Sequence, residues 1–405
     1  MRFLPASATP TAKLILISRS VRAVADGCIS VLLPAYLLAL GFDALQVGLL
    51  TTATLLGSAL LTLTVGLYGS RAGVRNLLSI TSLLMLATGI GFAAVSAFGP
   101  LLLIAFVGTL NPSAGDVSAF LPLEQTALTN AIADKDRTDL FARYSMVGSL
   151  LGAGGALLAV IPDHLAGLSG ADRISVYRLA FVAYAAVGLV VGLIYRKLPA
   201  DPPVHKTKAA APLGPSRHIV FRLAALFSVD AFAGGLVVQS ILALWLFQTF
   251  GLSVVATAQI FFATNLLSAI SYLVAARIAA RIGLINTMVF THLPANVCLM
   301  IVPFAGDLGV VIALLLVRSL LSQMDVPTRT SYVMAVVTPT ERPAAASVTA
   351  VPRSLASALG PTLGGGLLLA AGPFAWPLLL GGALKAGYDL TLLLMFRHVK
   401  PPEER

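Results

Sequence analysis

The sequence predicts an all-α membrane protein of twelve spanning helices in two pseudo-symmetric halves of six, on three observations. Of its 405 residues, 58% are hydrophobic and 11% charged, against roughly a quarter charged in a soluble domain. The apolar residues fall in near-continuous blocks, and about 20 such residues carry a helix across the hydrocarbon layer. Short motifs also recur from the first part of the chain to the second at a near-constant spacing. Helices are the expected spanning form, because lipid offers an open backbone no hydrogen-bond partner.

The first block, 14–40, contains Arg19 and Arg22, which a cleavable leader would not carry. Block 46–69 follows Gly41 and ends at the basic turn Arg71–Arg75. Blocks 77–97 and 100–129 come next, and Asn111, Pro112 and Gly115 predict an opened helix inside the second. Blocks 141–162 and 177–195 complete a first half, residues 1–197. A polar stretch, 198–217, reads as the linker to a second half, 218–405. That half holds blocks 220–249, 254–280, 284–304, 308–337, 345–370 and 374–396.

The formal charge of +10 is a matter of orientation and does not point to nucleic acid. Lys and Arg fall in alternate loops, after blocks two, four, six, eight and ten and at the C-terminus. The opposite loops at 41–45, 98–100, 250–253, 305–307 and 371–373 have none, and Arg173 is the exception. That bias predicts a multi-pass protein of the cytoplasmic (inner) membrane, with both termini and the linker in the cytoplasm. Cys28 and Cys298 lie within spans and read as small packing residues.

The repeat is ordered. Gly41 matches Gly251, and Arg71-Ala72-Gly73 matches Arg281-Ile282-Gly283, at an offset of 210. Pro122-Leu123-Glu124 matches Pro327-Thr328-Arg329 at 205, as Gly155 matches Gly360, while Asp26 and Asp230 differ by 204. Two halves with an even number of spans keep one orientation, so the axis relating them runs along the membrane normal.

With these features the chain resembles the major facilitator superfamily over essentially its whole length. Gly66, Arg71, Gly73 and Arg75 match that family's signature between spans 2 and 3, with Ser70 where an Asp is expected. A second signature, G-P-x-x-G-G, stands at Gly360 to Gly365 in the eleventh block; the family's proton antiporters carry it in the fifth. The resemblance implies the major facilitator fold, with the first helix of each half lining a central cavity. It also implies that Arg71 and Arg75 belong to a cytoplasmic latch, which the missing Asp would alter.

A charge at membrane depth needs a partner or a wet cavity. Three pairs share a helix face at i,i+4: Arg22/Asp26, Asp325/Arg329 and Lys385/Asp389. Glu124 and Arg329 occupy repeat-equivalent positions with opposite charge, which suits a gate across the halves. The alternative is local pairing, Arg329 with Asp325 and Glu124 with Arg143. Pro122 and Pro327 predict kinks beside them. Asp230 has no cation in its own span and is the first candidate for a proton-coupling acid, with an interhelical partner such as Lys385 as the alternative; Asp26 and Asp116 follow. His292 reads as a polar residue in a helix interface.

Polar candidates for a substrate cavity are Asn111, Gln239, Asn265 and Gln323, with Arg22, Arg318 and Arg353 available to an anion. Five bases stand against six acids in the spans, which predicts a cavity of little net charge. No phosphate loop, paired-Cys metal spacing or nucleophile elbow is present, so neither cofactor, metal nor enzyme chemistry is expected. The expected function is a monomeric, lipid-embedded secondary transporter coupling protons to efflux of a small solute. Uptake of a small anion is the alternative, and a non-transporting sensor or assembly factor is the alternative of another class.

Overall fold

The computed structural model describes residues 9–112, 118–129, 131–132, 137–170, 172–199, 213–338, 341–371 and 374–399. Most of the 198–217 linker and the expected coupling acid Asp116 therefore lie outside the described residues. All regular structure in the described residues is helical. The helices are α1 (Pro10–Ala39), α2 (Ala44–Ala72), α3 (Val74–Ala94), α4 (Phe98–Val107), α5 (Phe120–Thr129), α6 (Arg137–Leu158), α7 (Val160–Ser169) and α8 (Arg173–Tyr195). They continue with α9 (Arg217–Leu236), α10 (Gln239–Phe250), α11 (Val254–Ile282), α12 (Leu284–Ile301), α13 (Leu308–Ser322), α14 (Asp325–Val336), α15 (Arg342–Ala371) and α16 (Trp376–Phe396).

Caps fix several starts at one end of the bundle. The Asp172 carboxylate accepts from the Ser175 N–H, Ser253 Oγ from Ala256 N–H, and Asp307 from Val310 N–H. Ten stretches among the described residues are long and apolar enough to cross a membrane. The other two expected spans are α4–α5, which is divided, and α15, which is 30 residues long but rich in Ala, Gly, Ser and Thr.

Four of the expected spans are divided helices, the fifth span at Ala159 between α6 and α7. The fourth block opens after Val107, at Gly108 and the Asn111-Pro112 pair, as its sequence predicts. The seventh divides at Val237–Val238 and the tenth at Gln323–Met324. These breaks correct the expected role of the two prolines. Pro122 and Pro327 each sit in the third position of a fresh helix, α5 or α14, instead of kinking a continuous one. In a first turn the backbone N–H has no intrahelical acceptor, so its absence costs nothing.

The sequence repeat is visible as geometry. Gly73 and Gly283, equivalent at offset 210, have φ of 75° and 85° and precede α3 and α12. L side chains rarely adopt that conformation. Gly155 and Gly360 mark a second correspondence. A Cβ on Gly155 would stand 2.1 Å from the Val24 carbonyl oxygen of α1, and one on Gly360 2.3 Å from the Gly235 carbonyl carbon of α9. Small residues thus let α6 press on α1, and α15 on α9, at backbone distance.

The G-P-x-x-G-G segment uses two faces of α15. Gly360 and Gly364 meet α9, while Gly365 meets the Ala44 backbone of α2. Its content in this chain is close packing, α15 being wedged between α9 and α2. The pairs α2–α15 and α6–α11 join the two halves of the sequence.

Candidate functional site

Two buried ion clusters occupy corresponding places in the repeat. In the first, Arg22 of α1 donates to Glu124 of α5 at 2.6 Å and to Ser118 Oγ at 3.1 Å. Glu124 is 0% exposed and also accepts from the Tyr195 hydroxyl at 2.5 Å and from the Tyr144 hydroxyl. Asp26 stands 3.7 Å from Arg22, and the Arg22 guanidinium lies 4.3 Å from the centre of the Phe120 ring. The Arg22/Asp26 pair is therefore present, but Arg143 is not the cation on Glu124. Arg22 of α1, 102 residues earlier in the same half, takes that place.

In the second cluster, Asp230 of α9 is held between two cations. Lys385 of α16 donates to one carboxylate oxygen at 2.6 Å and Arg329 of α14 to the other at 2.8 Å. Arg329 also pairs with Asp325, one helical turn before it. The alternative of an interhelical partner is the one found: the span of Asp230 carries no cation, but Lys385 and Arg329 on two neighbouring helices supply one each. The Lys385/Asp389 pair is corrected. Lys385 turns to Asp230, while Asp389 accepts from Asn296 at 2.8 Å and lies 2.9 Å from His292 Nδ1. His292 is a polar residue bonded in a helix interface, as expected.

Each half thus joins its first and fourth spans by one cross-helix ion pair, with the sign inverted: Arg22–Glu124, then Asp230–Arg329. Glu124 and Arg329 are both engaged within their own halves in this conformation. Breaking such a pair from one side leaves an uncompensated charge in low dielectric, at a cost of about 3–5 kcal/mol.

Between the halves lies a cavity of about 550 Å³. Of the sequence candidates, Gln239, Asn265, Arg318, Gln323 and Arg353 line it, with Asp230, His292, Asp325, Arg329 and Lys385. A second cavity of about 120 Å³ adjoins it and shares Gln239, Asn265 and Gln323. Asp26 and Asn111 line that one, as does Arg19. Arg22, Glu124 and Asp389 line neither, being packed into the protein. Arg75 lies half-buried at the start of α3, away from both, and the Arg71 side chain falls outside the described residues.

The expected charge balance therefore does not hold where it matters. The large cavity is lined by four cationic side chains, Arg318, Arg329, Arg353 and Lys385, against Asp230 and Asp325. Two of the acids that balanced the count, Glu124 and Asp389, are spent on internal contacts.

One side of the bundle is closed by contacts between the halves. Gln239 donates to Ser30 Oγ at 3.1 Å, Ser240 N–H to the Pro112 carbonyl at 3.3 Å, and Thr362 Oγ1 to Thr52 Oγ1 at 2.7 Å. Thr52 lies in the third turn of α2, at the end opposite the chain termini. Thr62, Gln125 and Ala350 of the cavity wall lie nearer the end that carries the termini.

Sequence reasoning missed Tyr144, Tyr195, Asn296 and the Thr52/Thr362 contact as members of these networks. For the tyrosines a signal existed: a hydroxyl inside an apolar span has to find an acceptor.

The sequence profile of the Major Facilitator Superfamily matches residues 15–324. Over 421 aligned residues the chain is 23% identical to an uncharacterized membrane protein of Saccharomyces cerevisiae, spanning 95% of this chain and 93% of that one. Among solved structures, that of a D-xylose-proton symporter superposes with a TM-score of 0.73 at 13% identity, covering 94% of this chain and 97% of that one. The nucleoside transporter NupG gives a TM-score of 0.70 at 15% identity, covering 96% of this chain and 100% of the other. These likenesses establish the fold.

Proposed function

This chain belongs to the Major Facilitator Superfamily, and we propose that it is a secondary active transporter moving a small solute by alternating access, coupled to protons through Asp230. The observation that carries the reading is the cavity of about 550 Å³ between the halves, with Asp230 on its wall between Lys385 and Arg329. Its volume suits a small organic solute. The polar contacts beyond Thr52 and Gln239 close one end, and rocking of the halves about the site would exchange that closure for one at the other end. With the termini in the cytoplasm, as the Lys and Arg bias favours, the cavity of this conformation faces the cytoplasm.

The coupling rests on shared charge. Asp230 is the common acceptor of cations on α14 and α16. A proton on Asp230 removes the charge that ties α9 to both helices, so proton binding and the packing of this wall are linked. Asp325, His292, Tyr388 and Asp389 are the other titratable groups about the cluster among the described residues. Asp26 lines the smaller cavity beside Arg22 and is the second candidate for the role.

The test uses proteoliposomes of the full chain enclosing a pH-sensitive dye, pulsed with a panel of organic solutes. Wild type should move protons with a solute, and Asp230→Asn should exchange the same solute without moving protons. Solute transport by wild type without proton movement sinks the coupling. Proton coupling intact in Asp230→Asn transfers the role to another acid. A non-transporting sensor would show neither flux.

A further inference from the structure

All the charged side chains on the wall of the large cavity come from the second half of the chain. The first half contributes Leu55, Ala59, Leu121 and Pro122, with Thr62, Ser118 and Gln125. The cavity is therefore two-faced, uncharged and mostly apolar against α2 and α5 and charged against α9, α13–α14, α15 and α16.

The charges on the second face do not cancel. Asp230 accepts from Lys385 and Arg329, and Asp325 from Arg329, which consumes two acids and two bases. Arg318 of α13 and Arg353 of α15 are left with no carboxylate at ion-pair distance among the described residues. Arg318 Nε is in addition enclosed without a hydrogen-bond partner. Within a membrane such cations need a wet cavity or a partner; this wall gives them the first and leaves them open to an anion that arrives from elsewhere. A guanidinium offers paired N–H donors in the geometry of a carboxylate or phosphate.

We propose that the cavity binds an amphipathic organic anion, its acid group held by Arg318 and Arg353 and its apolar body lying against α2 and α5. This rests on the reading of the chain as a solute transporter and adds the chemistry of the solute. The expectation of a nearly neutral cavity counted charges by span; only their placement shows which are already matched.

The test is thermal unfolding of the detergent-purified full chain with benzoate, naphthoate or phenylbutyrate, each against its neutral amide. At least one acid should raise the midpoint saturably, and its amide should not. Arg318→Gln and Arg353→Gln should each weaken half-saturation about tenfold or more, the loss of a charge-assisted hydrogen bond. Arg318→Lys and Arg353→Lys keep the charge and guard against misfolding; their affinity should fall between wild type and the glutamine variants. Arg277→Gln, exposed on α11, should change nothing. The proposal is overturned if no acid raises the midpoint, or if the substitutions leave an acid's affinity unchanged. Amides binding as well as acids would also overturn it, while leaving a solute-binding cavity and the transporter reading in place.

Discussion

Replacing Arg22 with Gln strands Glu124, and the consequence can be sized from the contacts. Glu124 is 0% exposed and is held by Arg22, Tyr144 and Tyr195. The two tyrosines keep their hydrogen bonds when Arg22 goes, but they bring no charge. Losing one partner of a buried pair costs about 3–5 kcal/mol, and Arg22→Gln should fall in that range. Asp26 adds little to the penalty, because it stands 3.7 Å away and borders the smaller cavity. Glu124→Gln strands Arg22 in turn, and a similar loss is expected. The double variant removes both charges, so its cost should fall short of the sum by about 1–3 kcal/mol. Unfolding in mixed micelles with increasing dodecyl sulfate, followed by tryptophan emission, measures all four corners of the cycle. Additivity within about 0.5 kcal/mol would refute the reasoning. A companion cycle on Glu124→Gln and Arg329→Gln should be additive, since each residue is engaged within its own half. Coupling there would mean that the two charges meet in another conformation, as a gate across the halves requires.

Two further outcomes follow from the same packing and polar contacts. Glu341, in the turn before α15, accepts from the Thr338 and Ser216 hydroxyls and from the Gly214 and Ser216 N–H groups, which lower its pKa from 4.5 to about 2. A depressed acid stabilises the fold fully above its unfolded value and loses that contribution as the pH falls. The gap in thermal midpoint between wild type and Glu341→Gln should thus be widest above pH 4.5 and close towards about pH 2; a gap constant with pH would contradict the assignment. Gly155→Ala and Gly360→Ala should each destabilise by about 1–3 kcal/mol through overpacking, because their Cβ atoms would fall 2.1 Å and 2.3 Å from neighbouring backbone. Gly154→Ala, with nothing within 4 Å of its Cβ, is the control and should not destabilise in the same unfolding assay.

Much of the scaffold was legible because its cause is local. Apolar blocks long enough to span lipid are written in consecutive residues, and the repeat is written in motifs such as Gly73 and Gly283, whose positive φ the structure reproduces. The opened fourth block was legible from Asn111 and Pro112. The breaks at Val237 and Gln323 were not read, although Gly234-Gly235 precede the one and Pro327 follows the other, because each stretch is apolar enough to pass for one continuous span.

The site was legible by residue type and not by pairing. Asp230, Arg329 and Lys385 were each identifiable as charges that lipid would not tolerate alone. Their partnership spans 155 residues between Asp230 and Lys385, a separation that helical periodicity does not encode. The same limit explains the Lys385/Asp389 pair: i,i+4 spacing allows contact, but nearer partners on other helices win both side chains. Arg318 and Arg353 were legible as cations open to an anion, but the excess of cations on the cavity wall follows from those pairings and was hidden with them.

The central claim is that this conformation, closed at the end opposite the termini, is one of two that the chain exchanges between. Cys28 and Cys298 are both free, so serine at these positions gives a background for labelling. Ala39 at the end of α1 and Gly306 before α13 are exposed at the closed end, one in each half. Spin labels on Ala39→Cys and Gly306→Cys should report two distances whose populations shift with pH, since coupling requires the two states to differ in proton affinity. Weakening the closed end by deleting the Thr52–Thr362 contact should favour the longer distance, so Thr52→Ala should enrich it. A single distance that neither pH nor Thr52→Ala alters would contradict alternating access in this chain.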